Sequence, residues 1–163
     1  MARKATNELL QKAKKQKNDE FYTQLADIES ELLHYESHFE GKVVYCNCDD
    51  PHISNFFRYF VSHFRRLGLK KVIAACYKEQ HVNLFDTGKN NHGFFFEYTG
   101  TELTGTDPNT ANIVYFKGDG DFRSAESIAL LKQSDIVVTN PPFSLFREFV
   151  AQLMRYDKKF LII

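Results

Sequence analysis

The chain has 163 residues, 21 Lys/Arg against 21 Asp/Glu and therefore no net charge, and an aromatic-rich composition with 16 Phe and 8 Tyr. That length suits one domain with a real core, and no apolar run approaches the length that spans a membrane. Three cysteines, an odd count with no secretory leader before them, read as free thiols of a reducing, cytoplasmic compartment.

The charge is uneven along the chain. Residues 1–17 carry six Lys/Arg against one Glu, an arm that can bind phosphates by counterion release and that equally describes a solvated N-terminus. Within it Asn7–Lys15 reads as a short helix. A stronger helix is predicted over 25–39, with Leu25, Ile28, Leu32, Leu33 and Phe39 on one face and Gly41 as its stop. Lys42–Cys48 reads as a first strand on which Cys46 and Cys48, alternating around Asn47, point to one face. With His52 they fall short of a zinc ligand set, and no metal is expected. Ile53–Leu67 reads as a helix stopped by Gly68, and Lys71–Tyr77 as a second strand.

The stretch 80–111 has no helical period. Phe94-Phe95-Phe96, flanked by Gly and Thr, predicts a hairpin-like insertion ahead of a third strand at Ile113–Phe116. Ser124–Gln133 is a predicted helix, Asp135–Thr139 a fourth strand, Leu145–Arg155 a helix, and Phe160–Ile163 the start of a fifth strand. This alternation implies an α/β fold with a doubly wound, mostly parallel sheet. Its ligands are expected beyond the carboxyl ends of the strands. The fifth strand stops in midstream on Ile162-Ile163, so the chain is expected to be the front part of a larger protein, truncated after that strand.

One segment is richer in chemistry than the rest: Asp135-Ile136-Val137-Val138-Thr139-Asn140-Pro141-Pro142-Phe143. The β-branched run reads as a buried strand. Pro141 keeps Asn140 out of the helical region, and neither proline can donate a backbone hydrogen bond. The chain therefore leaves the sheet as a stiff loop that presents acceptors, the Asn140 side-chain oxygen and the Pro141 carbonyl. Such a site suits a group with two N–H donors, such as the exocyclic amine of a nucleobase, with Phe143 placed to stack on its face. A strand that simply ends in a proline-stiffened turn is the plainer alternative.

The tetrad Asn140-Pro141-Pro142-Phe143 resembles the catalytic motif of amino-group methyltransferases that use S-adenosylmethionine (AdoMet). In that family the Asn side chain and the following carbonyl accept hydrogen bonds from the target amine, and the aromatic stacks on the flipped base. Upstream, Lys17-Asn18-Asp19-Glu20-Phe21-Tyr22-Thr23-Gln24 resembles the segment that closes over the methionine end of AdoMet, with Gln24 where a Pro is usual. The plain alternative is a helix N-cap at Thr23 with Phe21 as its staple.

The loop after the first strand, with Asp49, Asp50 and Pro51, lacks the glycines a pyrophosphate needs. Carboxylates there suit the cationic end of AdoMet; they also serve as caps for the next helix. The family pattern Asp-Pro-x-x-Gly is kept at Asp50-Pro51, while Ser54-Asn55-Phe56 replaces the glycine-containing turn. At the end of the second strand the family places an acid for the ribose; this chain has Ala75-Cys76-Tyr77, which leaves Tyr77 to pack on the adenine. The loop Lys117–Ser124 fits the one whose Asp contacts the adenine amino group. Asp121 is the first choice and Asp119 the next, with Phe122 against the ring; a Gly/Asp turn into a helix explains the same residues.

In this order the motifs resemble adenine-N6-specific DNA methyltransferases, the EcoRI-type modification methylases in particular, over residues 17 to 163. The resemblance implies a Rossmann-like AdoMet-dependent fold. It divides the chain into a basic arm and cofactor lid over 1–23 and the first part of the methyltransferase domain over 24–163. It implies methyl transfer to the N6 of a flipped adenine in double-stranded DNA, with a cognate restriction endonuclease as a functional partner. The full-length protein is expected to be a monomer and the isolated stretch inactive. Alternatives are a non-catalytic AdoMet- or nucleotide-binding domain, or a methyltransferase acting on RNA or on a protein glutamine amide.

Overall fold

The computed structural model of the chain describes residues 23–48, 54–77, 92–101 and 113–163. The predicted helix Asn7–Lys15, the residues Phe21, Tyr22, Asp49, Asp50, Pro51 and His52, and most of the 80–111 stretch lie outside them. Helix α1 covers Leu25–Leu32 and buries Ile28 and Leu32. The predicted continuation to residue 39 tightens into a 3-10 helix over Leu33–His38 that buries none of its residues. The chain then enters β1, Val43–Cys46, buried throughout.

Helix α2, Asn55–Ser62, starts where Ser54 Oγ accepts from the Phe57 N–H at 3.1 Å, which satisfies one of the orphan donors of its first turn. It stops at His63, five residues before the predicted Gly68 stop. β2 (Lys71–Cys76), β3 (Phe94–Tyr98) and β4 (Ile113–Tyr115) follow. Helix α3, Ala125–Gln133, repeats the serine cap, with Ser124 Oγ accepting from the Ser127 N–H at 3.2 Å. β5 is Ile136–Thr139, α4 Phe146–Arg155 and β6 Lys159–Ile162.

The six strands form one sheet in the order β4-β3-β2-β1-β5-β6. β1 pairs in parallel with β2 and β5, and β5 with β6. The predicted insertion is part of this sheet. β3 lies between β2 and β4, antiparallel to both, with Cys76 opposite Phe94 and Phe94 opposite Tyr115. The sheet is thus mixed but mostly parallel, and β4 runs with β2 without touching it.

Alternation along the strands feeds two cores, one on each face. Val44, Cys46, Val72, Ala74 and Ile136 meet Ile28, Leu32, Phe56, Phe57 and Phe60 from α1 and α2. Val43, Tyr45, Ile73 and Val137 meet Leu130, Leu131, Phe149 and Leu153 from α3 and α4. Helices on both faces of a mostly parallel sheet are what strand–helix alternation requires.

The carboxyl ends of β1, β2, β4, β5 and β6 share one edge, and β3 begins there because it runs the other way. Gly93, just ahead of β3, packs so closely that a Cβ on it would lie 2.5 Å from the Asp119 carbonyl oxygen and 2.6 Å from the Gly120 Cα. Gly120, at φ +79°, would place a Cβ 2.8 Å from the Cys76 carbonyl oxygen. Three strand ends therefore meet backbone to backbone, which only glycines permit. The Gly93 N–H donates to the Gly118 carbonyl and the Phe116 N–H to the Gly93 carbonyl, which fixes the contact. Among the described residues no helix is long and apolar enough to cross a membrane.

Candidate functional site

The sheet reverses its winding at β1: the chain steps from β1 to β2 on one side and returns to β5 on the other. In doubly wound sheets the crevice at such a point, outside the strand carboxyl ends, is where ligands bind. Here its two walls are joined directly, because the Thr139 hydroxyl donates to the Asn47 carbonyl, 92 residues away. Thr139 is buried, so the hydroxyl finds its partner in the neighbouring strand end and the exit of β5 is fixed against that of β1.

Asn140 follows. Its amide nitrogen donates to Thr23 Oγ1 at 3.4 Å, and no described group bonds to its Oδ1. Pro141 is buried, and the chain turns at once into a 3-10 helix over Phe143–Leu145, where the Leu145 N–H takes the Pro142 carbonyl at 3.0 Å. The Pro141 carbonyl lies outside that turn. Phe143 is 80% exposed, a large apolar ring held out in solvent next to the stiff loop. Asn140, Pro141 and Phe143 thus stand together at the exit of β5, with Pro142 half-buried between them.

Thr23 is drawn into the same place from the other end of the chain. Gln24, not Thr23, holds the N-cap position of α1, without a side-chain cap. Thr23 instead uses its carbonyl to accept from Asn55 Nδ2 at 2.9 Å and its hydroxyl to receive Asn140. Asn55, first residue of α2, stands in the segment where the family has a glycine-containing turn. That departure was the only sequence signal of a role for it.

Asn47 was missed as a site residue. It is 2% exposed, and its Oδ1 accepts from the Cys48 N–H at 2.9 Å while its Nδ2 has no hydrogen-bond partner among the described residues. A buried, unpaired amide donor costs about 1–3 kcal/mol, so it marks a place where an acceptor is wanted. Cys48 adopts φ +63°, in the left-handed region that non-glycine residues rarely enter. That turn also corrects the cysteine reading. Cys46 faces the α1–α2 core, whereas Cys48, past the strand end, packs against the α3–α4 core. The two thiols therefore do not share a face.

At the far wall, Tyr77 follows β2, half-buried, with its carbonyl accepting from the Cys76 thiol at 3.3 Å. The Gly-Asp-Gly-Asp loop is braced internally. Arg123 holds Asp121 through Nε to Oδ1 at 2.9 Å and NH2 to Oδ2 at 2.7 Å, and reaches Glu148 of α4 at 2.8 Å. Gln152 of α4 donates to the Phe122 carbonyl at 3.0 Å. Phe122 turns its ring inward, edge-on to Phe149 at 5.3 Å between centroids, with the Arg123 guanidinium over it. The loop is thereby anchored to the helix that follows the tetrad. Asp119 Oδ1 accepts from the Asp121 N–H at 3.0 Å.

Hydrogen bonds from Arg123 are the main reason that the Asp121 carboxyl is held below the usual carboxylate range, against the opposing effect of partial burial. A lowered folded value means that the stabilisation is complete above the ordinary carboxylate pKa of about 4 and fades as pH falls through the lowered value. Asp121→Asn is therefore expected to lower the melting temperature at neutral pH, with the deficit shrinking towards acid. Thermal melts of both proteins between about pH 3 and pH 7 check this; a deficit that grows towards acid would contradict the assignment.

With this geometry in place, comparison with known proteins is specific. The model of a family described as adenine-specific methyltransferase EcoRI matches residues 9–163. The chain is 60% identical over 166 residues to the Escherichia coli protein named Type II methyltransferase M.EcoRI, an alignment covering 100% of this chain and 50% of that protein. It is 43% identical to Type II methyltransferase M.MpnI of Mycoplasma pneumoniae and 42% to Type II methyltransferase M.MgeORF184P of Mycoplasma genitalium, each time over 93% of this chain and 42% of the relative. The chain thus spans about half the length, or less, of these relatives. No solved structure matches it significantly.

Proposed function

Because this chain belongs to the family of EcoRI-type adenine-specific methyltransferases, we propose that, within a longer protein, it carries the cofactor crevice and catalytic loop for methylating the N6 amine of adenine in double-stranded DNA. The observation that carries this reading is the tetrad's setting. Asn140 leaves β5 at the switch point with its Oδ1 free of described partners, beside a Pro141 carbonyl outside the following turn and an exposed Phe143.

AdoMet, the cofactor that the family implies, supplies an electrophilic methyl group. The crevice suits it on this chain's own chemistry: Asn47 Nδ2, buried and without a hydrogen-bond partner among the described residues, calls for an acceptor such as a carboxylate. In the proposed site Thr23, Tyr77, Asp121 and Phe122 join Phe21, Tyr22, Asp49, Asp50 and Pro51, which lie outside the described residues. Phe122, with its ring in the core, acts by supporting the loop that carries Asp121.

The adenine N6 is buried in the duplex stack, so the base is extruded at a cost of a few kcal/mol. Stacking on Phe143 returns about 1–3 kcal/mol of this. The Asn140 oxygen and Pro141 carbonyl then accept the two N6 hydrogens, which fixes the direction of the nitrogen lone pair. N6 would gain the methyl group as its bond to the cofactor's sulfur breaks, leaving a neutral thioether, and would lose one proton to solvent. Geometry and charge complementarity carry the rate, without a base acting before attack. The reading further takes the protein as cytoplasmic and as a monomer at full length. The fold is then the doubly wound methyltransferase type, with 1–23 as arm and lid and 24–163 as part of the domain. A cognate restriction endonuclease is its functional partner.

The test is transfer of labelled methyl from AdoMet by the full-length protein to duplex DNA, with RNA and protein as parallel substrates. Label in N6-methyladenine of DNA is the expected result. Label confined to RNA or to a glutamine amide overturns the substrate, and AdoMet binding without any transfer overturns the activity.

A further inference from the structure

An amide that is to accept from a reacting amine has a problem of polarity. Rotating Asn140 by half a turn about its last bond exchanges Oδ1 for Nδ2, and the donor end would then face the donor hydrogens of N6. The tetrad itself does not decide between the two. We infer that Thr23 is a positioning residue: once the substrate amine is bound it takes the Asn140 Nδ2 hydrogen, with Asn55 holding Thr23 in place, so that Oδ1 stays turned to the substrate.

This rests on the methyl-transfer reading above and assigns work to residues that the tetrad does not contain. Three contacts support it. Asn140 Nδ2 lies 3.4 Å from Thr23 Oγ1, across 117 residues of sequence. Asn55 Nδ2 donates to the Thr23 carbonyl at 2.9 Å, from the first residue of a helix whose own start is capped by Ser54. The residue before Asn140 is fixed by the bond from Thr139 to the Asn47 carbonyl. Thr23 and Asn140 are thus each tethered to the two sides of the β1 loop.

A hydroxyl can donate or accept, so Thr23 alone is neutral between the two rotamers. The substrate amine removes the ambiguity. It offers only hydrogens on the side of the two acceptors, so the state with Oδ1 towards N6 and Nδ2 towards Thr23 is the one in which every group is satisfied. At 3.4 Å the contact is at the long end of hydrogen bonding, and such bonds commonly tighten once a site is filled. Without the Thr23 oxygen, Nδ2 is left unpaired in a closed site whenever Asn140 is in its working rotamer.

The experiment uses the full-length protein with duplex DNA and measures the single-turnover methylation rate and the AdoMet dissociation constant separately. Thr23→Val keeps the shape and removes the acceptor; its rate at saturating AdoMet should fall about tenfold, the factor for loss of one such hydrogen bond, a loss larger than any fall in AdoMet affinity. Thr23→Ser, which restores the hydroxyl, should recover most of that loss. In an Asn140→Ala background Thr23→Val should cost nothing further, because the group it positions is gone. A Thr23→Val rate equal to wild type overturns the inference, as does a rate loss matched by weaker AdoMet binding or one that adds in full to that of Asn140→Ala. Normal methylation by Asn140→Ala would instead overturn the underlying reading.

Discussion

Asn140→Ala in the full-length protein is expected to abolish most methyl transfer while AdoMet still binds. The substitution removes an acceptor that acts on the reacting amine, so its effect belongs to the transition state more than to cofactor affinity. By analogy with the removal of one preorganised polar group from other active sites, the rate should fall about 100- to 1000-fold. The scaffold should tolerate it, because Asn140 is only half-buried and its one described contact is the long one to Thr23. Single-turnover assays beside titration calorimetry with AdoMet separate the two quantities. A variant that methylates duplex DNA at the wild-type rate would falsify the role given to the tetrad.

The second large effect is structural and reaches the site through packing. Phe149 of α4 is 0% exposed and meets the Phe122 ring edge-on in the α3–α4 core. Truncating a fully buried Phe to Ala costs about 3–5 kcal/mol, from lost transfer energy and the cavity left behind. At about 2–4 °C per kcal/mol for a domain of this size, the melting temperature should drop by roughly 6–20 °C. The cavity would lie directly under Phe122, between Asp121 and Arg123, so the Gly-Asp-Gly-Asp loop should loosen and AdoMet affinity fall with stability. Phe149→Leu, which refills much of the space, should recover part of both. Melting within about 2 °C of wild type for the Ala variant would show that the ring is not packed as described.

The elements themselves were legible because their signals are local. β-branched runs and the 25–39 apolar spacing placed the strands and the starts of the helices to within a few residues. Helix lengths were overestimated where apolar residues run on past the last helical turn. Leu33 is on the predicted apolar face yet exposed in the 3-10 segment, and Phe64 and Leu67 are buried beyond the end of α2. Periodicity registers burial, and burial does not require helix.

The stiff exit from β5 was also readable, since two prolines fix backbone conformation whatever surrounds them. By itself the sequence thus determined an alternating α/β fold with a mostly parallel sheet and a stiff exit from β5. Tertiary structure alone decided that Phe94–Tyr98 separates β2 from β4, because strand pairing is chosen between segments far apart and no local pattern encodes the partner. It alone joined Thr139 to Asn47 and Thr23 to Asn55 and Asn140, and tied Arg123 to Glu148. These are side-chain hydrogen bonds across 25 to 117 residues of sequence. Each exists only once the sheet has brought its strand ends to one edge, where a buried polar group takes whichever partner lies within reach.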